Sequence, residues 1–146
     1  MPTDAARTLR AAAAVFVPGA PHDASPGAAD VEADRFLAHY LDLIQPGLGE
    51  GAAALLDEVA RARFQGRAFA SLEVAERVQV LDSIEHHDVE QLRELPSVLG
   101  FLAIAAVYGE WTGQDERGRV VRRPLGWDLT GFGGPGRGFR HLLGEP

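Results

Sequence analysis

The chain has 146 residues, a formal net charge of −7, 46% hydrophobic residues and no cysteine. That length suits one domain with a single sizeable core. The missing cysteines exclude a disulfide framework and thiolate metal sites, and the acidic balance argues against general nucleic-acid binding. Lysine and asparagine are also absent while alanine and arginine abound, a pattern we read as a GC-rich genome rather than physical design.

Helical signals begin within a few residues of Met1. Thr3 is a candidate N-cap with Asp4 beside the positive end of the helix dipole. Leu9, Ala13 and Phe16 follow at helical spacing, and Pro18-Gly19 ends the segment. Ser25-Pro26-Gly27 is expected to open the next helix, serine capping and proline suiting the first turn. From Ala33 to Ile44, the residues Ala33, Phe36, Leu37, Tyr40, Leu41 and Ile44 make one apolar face, with Asp34, Arg35 and Asp42 off it. Pro46-Gly47 closes that helix.

A third helix is predicted over about 52–64 with Leu55, Leu56 and Val59 inward, and Gly66 as its stop. Phe69 and Leu72 lead into a fourth, with Val74, Val78, Leu81 and either Val80 or Ile84 apolar. A fifth, short helix is expected over 89–95, with a break or kink at Pro96. Ser97 to Tyr108 is apolar nearly all round, the pattern of a helix surrounded by others. The longest apolar stretch, Val98 to Tyr108, is about half of the roughly 20 residues a membrane span needs. The only strand candidate is Arg119-Val120-Val121-Arg122, and there is no internal repeat.

The expected fold is therefore all-α: a single-domain helical bundle of about five to six helices (body 1–110) with a long, irregular, glycine-rich C-terminal arm (111–146). The two parts differ in sign. Residues 117–146 hold Arg117, Arg119, Arg122, Arg123, Arg137 and Arg140 against Asp128 and Glu145, a charge of +4, whereas residues 1–116 carry −11. The arm is thus drawn to acidic surfaces, its own body included.

Within the arm, Gly126-Trp127-Asp128-Leu129-Thr130-Gly131-Phe132-Gly133-Gly134-Pro135-Gly136 is expected to be neither helix nor regular strand, because ordering glycine costs the most backbone entropy. A backbone this pliable carrying Trp127 and Phe132 is suited to lying along a surface, its own or a partner's. Trp111, Trp127 and Phe132 are the candidate contact residues, tryptophan being enriched at interface hot spots. Arg122 and Arg123 are candidates for steering toward an acidic partner.

Catalytic, cofactor and metal residues are not predicted in this chain. His86-His87-Asp88 invites a metal reading, but neighbouring helical residues do not face each other, and Glu85, Glu90 and Glu94 complete no recognised zinc spacing. His39 lies beside Tyr40, off the apolar face, and is expected in solvent. His22-Asp23 reads as a turn. Gly131 to Gly138 follows no strand and precedes no helix, so it is not a dinucleotide fingerprint. No nucleophile elbow is present.

Taken in order, these pieces resemble the gluconate 2-dehydrogenase subunit 3 family. Thr3 to Val17-Pro18 is similar to its opening helix and exit. Ser25-Pro26-Gly27-Ala28 with Phe36 and Leu37 resembles its Pro-Gly-Ala segment and second helix. Phe69-Ala70-Ser71-Leu72 resembles its approach to the next helix, and Gly126-Trp127, Gly131-Phe132 and Gly134-Pro135-Gly136 resemble its closing pattern. That pattern is commonly Gly-Tyr-Pro-Gly, so the spacing here departs from it, as does the arginine cluster before Gly126.

The resemblance implies a small helical accessory (gamma) subunit that binds a flavin-dependent oxidoreductase of the glucose-methanol-choline type, acting on sugars or other alcohols. FAD is then expected in that catalytic subunit and not in this chain. A cytochrome is a further expected partner, and neither nucleic acid nor direct membrane insertion is implied. Members often carry a twin-arginine export signal; with none visible here, a cytoplasmic location is expected, or a periplasmic one through a partner. The alternative is an independent helical enzyme or small-ligand protein with a pocket between helices.

Overall fold

The Thr3 hydroxyl accepts a hydrogen bond from the Ala6 amide at 3.2 Å and starts α1 (Asp4–Phe16), as the Thr3-Asp4 pair predicts. The computed structural model describes residues 3–20, 22 and 25–134; Asp23 and the arm's Pro135, Gly136, Arg137 and Arg140 lie outside them. Five further helices follow: α2 (Ala33–Ile44), α3 (Leu48–Arg63), α4 (Val74–Glu85), α5 (Leu95–Tyr108) and α6 (Leu125–Thr130). Short 3-10 turns stand between them, and no strand occurs among the described residues. The fold is all-α. The chain divides into two compact units, Met1–Val107 and Tyr108–Pro146.

In the first unit, α1 packs on α2 and α3, α2 on α3, and α3 on α4. The core is Leu9, Leu37, Leu41, Leu56, Phe69, Val80, Ile84 and Leu99, each effectively without solvent contact. Small residues let the helices close on one another: Ala12, Ala13, Ala52, Ala53 and Ala60 are buried. At Gly49 an added Cβ would stand 3.3 Å from the Ala38 Cα. That approach explains why α3 begins at Leu48 rather than near Ala52 as predicted. Gly49 and Gly51 weaken the helix locally, but the Asp42 carboxylate accepts the Gly49 amide at 3.0 Å and helps hold the first turn. At the other end, Gln65 and Gly66 are both left-handed (φ 53° and 82°), and the Gly66 amide returns to the Arg61 carbonyl at 2.9 Å. The stop expected at Gly66 is thus a C-terminal cap.

Other boundaries move for identifiable reasons. Ser25 is not the cap of α2. A 3-10 turn (Ala28–Val31) opens at Gly27, whose amide donates to Asp30 at 2.8 Å. The short helix expected over 89–95 is only a 3-10 turn, Glu90–Leu92. Pro96 neither breaks nor kinks a helix, because α5 starts at Leu95 and proline is tolerated in a first turn.

Facing also differs from expectation. Asp34 is buried, not off the packed face: the Arg10 guanidinium donates to it through Nε at 2.9 Å. Leu56 is buried while Leu55 and Val59 are half-buried. In α4, Val80, Leu81 and Ile84 are all inward, whereas Val74 and Val78 are exposed. The turn before α4 explains that rotation. Phe69 and Leu72 bury themselves, and Glu76 accepts the Glu73 amide and the two terminal Arg67 guanidinium nitrogens, at 2.8, 2.8 and 2.9 Å. Those bonds, the Arg67 side chain's first, hold the Glu76 carboxyl below the usual carboxylate range.

Candidate functional site

The second unit is built around a glycine. Gly126 lies so close to the chain at 108–109 that a Cβ there would stand 2.1 Å from the Tyr108 carbonyl oxygen and 2.6 Å from that of Gly109. Only a residue without a side chain fits. The neighbouring Leu125 amide donates to the Thr112 hydroxyl at 2.7 Å, and Pro124, fully buried, presets the backbone ahead of the helix. Residues Leu125–Thr130 are consequently helical. This corrects the expectation of irregular backbone from Gly126 on: the entropy cost of one glycine is offset by the contact it permits. Gly131, left-handed at φ 71°, ends α6.

Beyond that cap the chain folds back. The Phe132 amide donates to the Trp127 carbonyl at 2.9 Å, and the two rings meet edge to face with centroids 5.3 Å apart. Arg123 closes the cluster. Its guanidinium pairs with Asp128, donates to the Phe132 carbonyl at 2.7 Å and lies 5.8 Å over the Trp127 ring. Arg122 donates instead to the Thr112 carbonyl at 2.7 Å, next to Trp111 in a 3-10 turn (Trp111–Gly113).

The five predicted contact residues therefore divide. Arg123, Trp127 and Phe132 form one cluster, while Arg122 and Trp111 belong to the adjoining turn. The arginines spend their hydrogen bonds on their own unit. Phe132 keeps half its surface in water, and Trp111 and Trp127 are half-buried.

The expected strand at Arg119–Arg122 is a single antiparallel bridge, Gln114 to Val120. The turn it closes is organised by Asp115, which accepts the amides of Arg117 and Arg119 at 2.9 Å each and the Arg119 guanidinium at 2.7 Å. The Arg119 amide first, then its side chain, holds the Asp115 carboxyl below its ordinary value. A carboxylate depressed in the folded state stabilises that state fully above its unfolded value, roughly 3.9, and ceases to do so as pH falls through the lower folded value. Protection factors at the Arg117 and Arg119 amides, corrected for the intrinsic pH dependence of exchange, are therefore expected to hold steady between pH 7 and 5 and to fall below about pH 3.9. Asp115→Asn should lower these protection factors at pH 7 and approach wild type at the acid end, and wild-type protection unchanged down to about pH 2 would contradict this account.

The histidines do not converge. His86 Nδ1 lies 2.8 Å from the Asp82 carbonyl, while His87 Nδ1 accepts the Val89 amide at 3.0 Å. His39 is exposed, edge-on to Tyr40. Among the described residues no group of three or more histidine, aspartate or glutamate side chains is placed to hold a metal. Nor is any helix among them long and apolar enough to cross a membrane.

What the sequence reading missed is on the first unit. The helix expected to be surrounded, α5, is covered on one side only. Leu99, Ala103, Ala106 and Val107 are buried, but Phe101 is 71% exposed and Ile104 51%. Tyr40 and Ile44, assigned to the inner face of α2, are exposed too, with Leu43 beside them at 67%. Tyr40, Leu43, Ile44, Ser97, Val98, Phe101 and Leu102 line an open groove of about 490 Å³ between the end of α2 and the start of α5. No charged side chain lines it. The signal was present in the all-round apolarity of 97–108, and in Leu43 breaking the one-sided pattern of α2.

Together the fold and these surfaces define a small all-α protein with a broad uncovered apolar face. The chain belongs to the gluconate 2-dehydrogenase subunit 3 family, whose sequence model matches residues 3–134. That span takes in all six helices and the Trp127–Phe132 cluster. Neither a curated protein nor a solved structure matches the chain.

Proposed function

We propose that this chain is the small accessory subunit of a flavin-dependent oxidoreductase of the glucose-methanol-choline type, which acts on sugars or other alcohols. The observation that carries the reading is membership, over residues 3–134, of a family described as a dehydrogenase subunit. A subunit implies a complex; the flavin and the catalytic residues belong to the partner. The uncovered apolar face supports the reading, since contiguous apolar patches on soluble domains mark interaction sites.

Co-expression with a flavin-dependent oxidoreductase of the glucose-methanol-choline type from the same genome provides the test. The two chains are expected to co-elute at fixed stoichiometry, and the flavoprotein's soluble yield, flavin content and activity are expected to rise severalfold over expression alone. No co-elution, with all three quantities unchanged, would overturn the assignment.

A further inference from the structure

Leu43, Ile44 and Phe101 each keep about two-thirds or more of their surface in water, and they border one groove rather than standing apart. Scattered exposed apolar residues need no explanation, but a contiguous set does. We propose that the groove between α2 and α5 is the seat of the partner subunit, and that its occupant is an uncharged, apolar segment of the catalytic chain. This rests on the assignment of the protein as an accessory subunit.

Three observations select that occupant. The lining carries no charged group, so a charged segment would lose its hydration without compensation. The exposed apolar side chains of Tyr40, Leu43, Ile44 and Phe101 amount to on the order of 400 Å², set against roughly 800 Å² per partner in a standard interface. They are enough for the apolar centre of one interface with a polar rim around it. Charge disfavours a second copy as occupant. The full chain carries −7, so two copies repel one another overall, a cost that an uncharged segment of another chain does not carry. For a small molecule the lining offers the Tyr40 and Ser97 hydroxyls and no charged group, and the groove is open rather than an enclosing pocket of the kind that buries most of a ligand.

The two candidate clusters therefore differ in what they offer a partner. In the second unit, Arg122 and Arg123 already bind their own unit. The α2–α5 groove presents side chains whose burial has yet to take place.

The test uses the full chain co-expressed with a flavin-dependent oxidoreductase of the glucose-methanol-choline type from the same genome. Leu43→Glu and Phe101→Glu are compared with Val78→Glu, an exposed apolar position on α4 outside the groove. Thermal unfolding of each purified chain checks folding, and Phe101→Ser serves as a milder variant. Both groove glutamates are expected to weaken binding at least tenfold, Phe101→Ser severalfold, and Val78→Glu less than twofold.

If wild type binds and the groove variants bind equally well, the groove is not the seat, although the subunit assignment stands. If wild type does not bind at all, the assignment itself falls and this proposal with it. Two further results would overturn the proposal: a wild-type homodimer dispersed by Phe101→Glu while the hetero-complex is undiminished, or a tightly held small molecule in native mass spectra that Phe101→Glu releases.

Discussion

Phe69→Ala is expected to destabilise the protein by about 3–5 kcal/mol, the range for truncating a fully buried aromatic, which lowers the melting temperature by roughly 10 °C in a chain of this size. Among the described residues Phe69 is the largest side chain without solvent contact. It sits in a 3-10 turn (Phe69–Ser71) between α3 and α4, and its position is set by a buried carboxylate. Asp57 accepts the Phe69 amide at 2.8 Å and the Thr8 hydroxyl of α1 at 3.3 Å. One side chain of α3 thereby ties the turn to α1. Asp57→Ala strands that amide, costing about 1–3 kcal/mol. Because both variants loosen one turn, their combined effect should fall short of the sum. Urea or thermal unfolding of the two variants and the pair measures this. A loss below about 1 kcal/mol for Phe69→Ala would mean that the turn is not an anchor.

Gly126→Ala is expected to disrupt the second unit while leaving the first folded. The new methyl would meet the carbonyl groups of Tyr108 and Gly109, and backbone atoms cannot move aside as a flexible side chain can. Overpacking of this kind costs about 3 kcal/mol or more, and α6 has only six residues to oppose it. Displacing α6 also breaks the Leu125–Thr112 bond and moves Trp127 away from Arg123 and Phe132. In NMR spectra the Trp127 indole and Phe132 ring signals should lose the shifts of their edge-to-face pairing, while the methyl signals of Leu37, Leu56 and Ile84 stay in place. Gly133→Ala is the control: an added Cβ there meets nothing within 4 Å, and the spectrum should barely change. Unaltered ring shifts in Gly126→Ala would sink the close-approach explanation.

Much of the architecture could be read directly from residue order. The Thr3 cap and the stop at Gly66 are local matters, decided by a few residues in contact with their sequence neighbours. Misreadings arose wherever a distant element decided. Asp34 looked like a solvent residue, since nothing adjacent to it in sequence reveals Arg10 beside it. Val74 and Val78 were grouped with Leu81 as the apolar positions of α4 yet lie exposed, because periodicity gives the phase of a helix but not which phase is covered. Gly126-Trp127 looked irregular because glycine's helix penalty was visible, while the carbonyl groups it packs against, nearly 20 residues earlier, were not.

The candidate site was legible in a similar, partial way. Trp127, Phe132 and Arg123 were singled out as residues that must meet something, and they meet one another. The groove residues were missed for a different reason: an all-round apolar helix fits equally well with complete enclosure inside its own fold and with enclosure completed by another chain.

The order of amino acids, by itself, determined the helical backbone, its main breaks and the family to which the chain belongs, because those depend on short-range capping and periodicity and on motifs kept in order. Only tertiary structure decided which faces are covered, since burial is set by elements remote along the chain. That is why the bared side of α5 and the seat of Gly126 against residues 108–109 became visible only in three dimensions.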